Sequence, residues 1–208
     1  MDNNNSDQSG VGIFLGEAYE LVYKGWVTVW RGFHGKQEIV EKKNAVAFLV
    51  YNRDKRAVAM VYQERPAASF SRDAGRVQEV PAGHIDNGEL TIEAMAREAR
   101  EELGLLVDLP TAIEHFTLVN FGASLFTSPG IVTERIFLGY AEFNDDEFDH
   151  SRKHFGLAEE GEEVERRWIA IERLENMPYV DLKTFALAQW FLREIYPQLA
   201  ADNDREGE

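Results

Sequence analysis

One ordered pattern in residues 83–105 constrains this chain more than any other feature of its sequence. The segment reads GHIDNGELTIEAMAREAREELGL and fits the pattern G-x5-E-x7-R-E-A-x-E-E-x-G-L. At average residue usage, its fixed identities would match by chance with a probability below roughly 10⁻⁸ per starting position. The fixed positions are Gly83, Glu89, Arg97, Glu98, Glu101, Glu102 and Gly104.

The second half of the pattern predicts a helix with carboxylates on one face. Residues 91–103 are strong helix formers, and Gly104 stands where a helix C-cap glycine is expected. Residues three and four apart share a helix face, so Glu98, Glu101 and Glu102 project together. Clustered carboxylate oxygens suit Mg²⁺ or Mn²⁺. The alternative is a solvated acidic surface, because runs of glutamate usually face water.

Composition narrows the class of protein. The chain has 208 residues, no cysteine and a formal net charge of −15. The length predicts one domain, or one domain with a small appendage. The lack of cysteine excludes disulfides and thiol nucleophiles and agrees with a cytoplasmic location. The negative charge argues against nucleic-acid binding, and no apolar run approaches the roughly twenty residues of a membrane span.

The order of predicted elements indicates an N-terminal β segment followed by one larger domain. Residues 1–10 and 201–208 are polar and are expected to be disordered. Residues 11–42 are expected to form a β segment, with strands within 17–41 and turns near Lys24-Gly25 and His34-Gly35. The main domain is expected to span residues 43–200.

Within the main domain the pattern predicts a mixed sheet between helices. Residues 45–51 and 57–63 predict a β-hairpin, and residues 76–81 a strand that leads into the helix pattern. Further strands are predicted at 112–121, 134–143 and 164–171, with a mobile charged loop at 144–163 and a short helix at 172–176. The fold class is therefore α+β, with a helix on each side of the sheet.

The last predicted helix covers residues 181–199. Asp181 is a candidate N-cap residue, since its short carboxylate can accept a hydrogen bond from the first turn. Apolar residues recur at helical spacing and are expected to pack on the core. These residues are Leu182, Phe185, Leu192, Ile195 and Leu199.

The pattern in residues 83–105 resembles the Nudix box, the signature of hydrolases that cleave nucleoside diphosphates linked to another group. The one departure is Ala99, where that family usually has a bulkier aliphatic residue. The resemblance implies an α/β/α sandwich and a Mg²⁺ cofactor, with Mn²⁺ as the alternative. It also implies that the Ala82 carbonyl, Glu98 and Glu102 bind the metal, and that Glu101 binds it directly or through water. Arg97 is then expected to orient a neighbouring glutamate, first of all Glu89.

Segments outside the box resemble the ADP-ribose and nucleoside-diphosphate-sugar pyrophosphatase branch of that family. These are residues 61–67 (VYQERPA), 128–134 (SPGIVTE) and 156–162 (GLAEEGE). Two features depart from the branch. Residues 120–127 look inserted, and Lys42-Lys43 replaces an arginine that usually precedes the hairpin.

The branch resemblance assigns further roles. A glutamate of the acidic segment is expected to take a proton from the attacking water, with Glu162 the first candidate and Glu160 the second. A solvated charge run is the alternative for that segment. Arg65 is expected to bind phosphate or to form a structural salt bridge. Glu134, Gly130 and Trp30 are candidate substrate contacts, although aromatic residues in strands more often belong to the core.

The resulting hypothesis is a metal-dependent hydrolase that splits ADP-ribose into AMP and ribose 5-phosphate. A UDP-sugar or GDP-mannose pyrophosphatase is the enzymatic alternative. A Nudix fold that only senses a nucleotide metabolite is the non-catalytic one. The resemblance also implies a homodimer that exchanges the N-terminal β segment, with neither nucleic acid nor a membrane as partner.

Overall fold

The computed structural model describes residues 11–14, 17–33, 35, 37–71, 75–157 and 163–200. These residues belong to two compact units. One unit comprises residues 1–45 and 124–136, and the other comprises residues 46–123 and 137–208. None of the described helices is long and apolar enough to cross a membrane.

Among the described residues, six strands precede the first helix, and groups of strands and helices then follow up to the C-terminal helix. The strands are β1 (Val11–Phe14), β2 (Glu17–Lys24), β3 (Thr28–Gly32), β4 (Glu38–Glu41), β5 (Ala45–Asn52), β6 (Ala57–Glu64), β7 (Arg76–Glu79), β8 (Ala82–His84), β9 (Thr117–Leu118), β10 (Leu125–Phe126), β11 (Arg135–Phe143), β12 (His154–Phe155) and β13 (Val164–Ala170). The helices are α1 (Pro66–Ser71), α2 (Thr91–Leu103), α3 (Leu109–His115), α4 (Ile171–Leu174) and α5 (Leu182–Trp190). A π-helical turn (Phe191–Ile195) continues α5.

The first unit contains an antiparallel sheet in which β1, β2, β3 and β4 pair in chain order. The strands predicted within residues 17–41 are confirmed. Val40 of β4 forms a parallel bridge to Val132, so the segment 124–136 joins this unit. Part of the segment that looked inserted from the sequence therefore belongs to the N-terminal sheet unit.

The second unit contains a sheet in the order β11-β5-β6-β13-β12. Strand β7 pairs with β6, β8 with β5, and β9 with β11. The predicted hairpin is confirmed, because β5 and β6 pair antiparallel with Val50 opposite Ala59 and Asn52 opposite Ala57. Strand β13 lies on the other side of β6 and is also antiparallel to it.

Helices cover both faces of this sheet. Successive side chains of a strand point to opposite faces. Phe48 of β5 and Phe143 of β11 belong to the core cluster that also contains Met95 of α2. Tyr51 of β5 points to the other face and contacts the ring of Phe191, which follows α5. The sheet therefore lies between α2 and the C-terminal helix, and the predicted α+β fold class is confirmed.

Helix α2 has the bounds that the sequence predicts. Its first turn is closed by Glu93, whose carboxylate accepts a hydrogen bond from the Leu90 amide at 2.8 Å. Gly104 ends the helix in the left-handed conformation, with φ of 64°. The Leu105 amide then donates to the Ala99 carbonyl at 3.2 Å, which satisfies a carbonyl of the last turn.

The strand predicted at residues 112–121 is wrong for most of its length. The structure has α3 at Leu109–His115 and only a two-residue strand, Thr117–Leu118, after it. The Asp108 carboxylate accepts from the Thr111 amide, and Pro110 lies in the first turn, where its missing N–H costs nothing. These helix-start signals outweigh the β-forming residues that follow them. Helix α1 was not predicted at all.

The predicted apolar face of the last helix is wrong at two of its five residues. Leu182 is 72% exposed and Phe185 is 47% exposed, whereas Leu192, Ile195 and Leu199 are half-buried. The fully buried residues are Thr184, Leu187, Ala188 and Phe191. Apolar residues occur on more than one side of this helix. Helical spacing alone therefore does not decide which side is buried. The prediction that Asp181 is the N-cap is confirmed, because its carboxylate accepts from the Thr184 amide at 2.9 Å.

Replacing Gly104 by alanine is expected to destabilise the protein through two separate effects. A left-handed backbone costs about 1 kcal/mol for a residue with a Cβ atom. The new Cβ would also lie 2.1 Å from a ring carbon of Phe155. Overpacking of this kind adds roughly 1–3 kcal/mol. Urea denaturation of Gly104→Ala measures the sum.

Gly88 provides the matched control, since its φ is 83° and a Cβ there would meet no atom within 4 Å. Gly88→Ala should therefore lose only the backbone contribution. Equal losses in the two variants would contradict the packing of Phe155 against the end of α2.

Candidate active site

The glutamates of the sequence pattern lie on the face of α2 that is turned toward the protein. Glu98 is 8% exposed and Glu102 is 3% exposed, while Glu101 is half-buried. Carboxylates are almost never this deeply buried unless they are paired. The solvated acidic surface is therefore not what the structure shows at Glu98 and Glu102.

The backbone of Ala82 and Gly83 lies directly against these carboxylates. The Ala82 amide donates to Oε2 of Glu102 at 3.0 Å. A Cβ atom at position 83 would stand 1.8 Å from Oε1 of Glu98. The glycine that opens the pattern is therefore required by the close approach of Glu98 to the chain. This explains physically why the pattern begins with glycine 15 residues before that glutamate.

Arg97 organises the carboxylates around it. Its guanidinium donates to both oxygens of Glu89, at 2.8 and 3.0 Å. One of its nitrogens also donates to Glu98 at 2.8 Å and to Glu101 at 3.0 Å. A further bond reaches the carbonyl oxygen of His84 at 2.9 Å. The expected pairing of Arg97 with Glu89 is present, and the same side chain fixes two more glutamates.

The electrostatics agree with this geometry. Hydrogen bonds from Arg97 lower the pKa of Glu89, and their effect exceeds the opposing effect of burial. The hydrogen bond to Glu89, together with Glu98 and Glu101, raises the pKa of Arg97, so the guanidinium stays charged. We refer to Glu89, Glu98, Glu101 and Glu102 as the acidic cluster. Counted formally, four carboxylates against one guanidinium give these five side chains a charge of −3.

The donor chemistry of the acidic cluster fits a hard divalent cation. Mg²⁺ and Mn²⁺ bind carboxylate oxygens, and here two of the four carboxylates are buried beside strand β8. The side chains do not form a finished cage, because within the described ranges no group of three or more acidic or histidine side chains is arranged to hold a metal. Arg97 lies against Glu98 and Glu101, whereas Glu102 turns to the Ala82 amide.

Arg65, the candidate phosphate ligand, forms an ion pair. Its Nε donates to Oε1 of Glu79 at 2.6 Å, and Glu79 is almost fully buried. The structural salt bridge, which was the alternative for this residue, is therefore present. The Arg65 side chain is still 40% exposed, which leaves part of it accessible to a ligand.

The remaining substrate candidates lie in the first unit. Trp30 of β3 donates its indole N–H to Glu41 at 2.8 Å. Glu134 forms a salt bridge with Lys42 at 2.6 Å, and Gly130 lies in the same 124–136 segment as Glu134. Lys42 is one of the two lysines that replace the usual arginine. Their roles in binding substrate stay predictions.

Both candidates for the proton acceptor, Glu160 and Glu162, lie outside the described residues. Their assignment rests on the sequence alone.

Sequence reasoning missed the polar contacts that connect α5 with β7. Lys183 forms a salt bridge with Glu79, and the Thr184 hydroxyl accepts from the Val80 amide at 2.9 Å. These partners are 104 residues apart in the chain. The only local signal was the prediction of Asp181 as a helix N-cap. It places Lys183 and Thr184 in the first turn of the helix but does not predict their partners.

Comparison with known proteins identifies the family. A model described as the NUDIX domain matches residues 41–191. A protein of Cronobacter sakazakii named GDP-mannose pyrophosphatase is 33% identical over 159 residues, which cover 74% of this chain and 76% of that protein. Proteins with the same name from an Enterobacter species and from Citrobacter koseri are 29% and 31% identical over 161 and 131 residues. These cover 74% and 62% of this chain, and 76% and 61% of those proteins.

The family match spans far more than half of the chain and includes the whole acidic cluster. The resemblance drawn from residues 83–105 is thus confirmed, and the chain belongs to the NUDIX family.

Proposed function

We propose that this protein hydrolyses the pyrophosphate bond of a nucleoside diphosphate sugar in a reaction that depends on Mg²⁺, with Mn²⁺ as a substitute. The products are a nucleoside monophosphate and a sugar phosphate. The observation that carries the proposal is the acidic cluster inside a NUDIX domain, where Glu98 and Glu102 are buried against the Ala82–Gly83 backbone and four carboxylates share one guanidinium. Burial of carboxylates in excess of their cationic partners is costly unless a further cation compensates it.

The residues that would hold the cation are Glu98, Glu102, Glu101 and the Ala82 carbonyl. When bound, the cation supplies positive charge that offsets the pyrophosphate oxygens and acidifies water. Arg97 keeps Glu98 and Glu101 in one orientation. The conformational entropy of these side chains is therefore lost when the protein folds and not when the cation binds. Glu89 in turn binds one edge of the guanidinium with both of its carboxylate oxygens.

The other residues act on the substrate and on water. Arg65 holds a phosphate oxygen with the exposed part of its guanidinium. Glu134, Gly130 and Trp30 contact the nucleoside or the sugar. Glu162, or else Glu160, accepts the proton of the attacking water, because a carboxylate near a cation need only orient that water and take its proton.

Two substrates are candidates, each with its own support. GDP-mannose is favoured by the relatives, since three proteins about 30% identical carry the name GDP-mannose pyrophosphatase. ADP-ribose is the leading candidate of the sequence analysis, in which residues 61–67, 128–134 and 156–162 resemble the ADP-ribose and nucleoside-diphosphate-sugar pyrophosphatase branch. A sensor without activity is disfavoured, because every fixed glutamate of the pattern is retained. We further propose a cytoplasmic homodimer in which the N-terminal β segment contacts the partner.

The substrate proposal is tested with a panel of GDP-mannose, ADP-ribose and UDP-glucose, each assayed with Mg²⁺ and with Mn²⁺. One of these compounds should be cleaved at the pyrophosphate bond, with a nucleoside monophosphate among the products. A chelator should abolish the reaction, and added Mg²⁺ should restore it. Binding of a compound without its cleavage would support the sensor in place of the enzyme.

Glu98→Gln and Glu102→Gln should each lower turnover by more than about 100-fold, since changes in residues behind metal ligands already cost 10–100-fold. The glutamine oxygen at position 102 can still accept from the Ala82 amide, so the fold should be kept. Glu93→Gln on the same helix is the matched control, because Glu93 caps the first turn outside the cluster. Near-normal turnover in Glu102→Gln, with an unchanged circular dichroism spectrum, would contradict the metal assignment.

The role of the acidic segment is tested by comparing two neighbours. Glu162→Gln should lower kcat strongly with little change in KM, because a group that acts only in the transition state does not weaken ground-state binding. Arg65→Ala should mainly raise KM. If Glu160→Gln lowers kcat strongly and Glu162→Gln does not, Glu160 is the proton acceptor in place of Glu162. If both keep full activity, the segment is a solvated charge run.

A further inference from the structure

The short segment from Glu79 to Gly83 connects the C-terminal helix with the acidic cluster. At its C-terminal end, the Ala82 amide contacts Glu102 and Gly83 lies against Glu98. At its N-terminal end, Glu79 is the last residue of strand β7. Glu98 and Glu102 thus both contact the backbone at the C-terminal end of this segment.

The middle of the segment is fixed by two backbone hydrogen bonds. The Val80 amide donates to the Thr184 hydroxyl at 2.9 Å, and the Pro81 carbonyl accepts from the Phe48 amide at 3.1 Å. Val80 and Thr184 are both buried, so water does not compete for the first of these bonds. Pro81 has no amide hydrogen, and its ring restricts the backbone further.

The Thr184 hydroxyl is oriented by the start of its own helix. It donates to the Asp181 carboxylate at 2.6 Å, which turns a lone pair toward the Val80 amide. Asp181 also accepts from the Thr184 amide and from Lys183, at 2.9 Å each. Burial alone would raise the pKa of Asp181, but Lys183 and Thr184 outweigh it and keep that pKa below its ordinary value.

The N-terminal end of the segment is held by salt bridges of Glu79. Glu79 is almost fully buried and forms salt bridges with both Arg65 and Lys183. The Lys183 side chain is only 15% exposed, so the pair is poorly screened by solvent. The first turn of α5 therefore holds the segment twice, through Lys183 at Glu79 and through Thr184 at Val80.

We infer that Thr184 and Lys183 are positioning residues for the metal site, acting through the backbone of residues 79–83 on Glu98 and Glu102. This rests on the proposed function, since it assigns the cluster a cation. Neither residue touches the cluster itself. Their contribution is to hold the Ala82–Gly83 backbone at the distance from α2 that the carboxylates need to receive a cation.

The experiment titrates the full-length protein with Mn²⁺ alone by isothermal calorimetry, well below the melting temperature. Thr184→Val removes the hydroxyl at nearly constant shape and should raise the Kd for Mn²⁺ about tenfold. Thr184→Ser keeps the hydroxyl and should stay within about twofold of the wild type. Lys183→Met, which leaves the Val80 bond in place, should also raise the Kd.

Val58→Ala is the control for loss of stability alone. Val58 is fully buried in β6, where it lies opposite Tyr51 and Ile169 and outside the segment from Glu79 to Gly83. This variant should lower Tm without changing the Kd for Mn²⁺. If Thr184→Val and Lys183→Met lower Tm and bind Mn²⁺ like the wild type, the two residues are structural only and the inference is overturned.

The outcomes for the wild type separate this inference from the proposed function. Mn²⁺ binding that responds to Thr184 and Lys183, without cleavage of any compound in the panel, would overturn the hydrolase and keep the positioning role. A wild-type protein that binds no Mn²⁺ would overturn both.

Discussion

The arrangement of the acidic cluster depends on the side chain of Arg97, which donates hydrogen bonds to Glu89, Glu98 and Glu101 and to the His84 carbonyl. Such charge-assisted hydrogen bonds are about twice as strong as neutral ones. The planar guanidinium also fixes the directions in which its N–H groups can donate. One half-buried guanidinium therefore orients three carboxylates and ties the loop before α2 to the helix. Because one positive charge does not neutralise the cluster, the site keeps the negative charge that a divalent cation would meet.

The second constraint is the close contact between that cluster and the backbone before it. Gly83 admits Glu98, and the Ala82 amide holds Glu102. The strand segment that carries both is held in turn by Thr184 of α5. The sheet, helix α2 and the C-terminal helix are thus connected through these few residues, and the chemistry proposed for the site depends on all three.

Much of this could be predicted because it is local. Helix α2 has strong helix formers, a glycine in the left-handed conformation at its end and carboxylates at helical spacing, and these properties belong to neighbouring residues. The β5–β6 hairpin follows from two apolar runs around a polar turn. The errors arose where local signals competed. At α3, the cap at Asp108 prevailed over β-forming residues. In the C-terminal helix more than one face carried apolar residues, and packing on the sheet, as in the contact of Phe191 with Tyr51, decided which face is buried.

By itself the sequence determined the family, the fold class, the pattern helix and the identity of the clustered glutamates, because spacing along a helix fixes which side chains share a face. Tertiary structure alone decided which partners those side chains found. Glu79 meets Lys183, and Val80 meets Thr184, across 104 residues of chain. No periodicity encodes such a pair, since it depends on how the C-terminal helix packs against the sheet, and that packing is settled by burial over the whole unit.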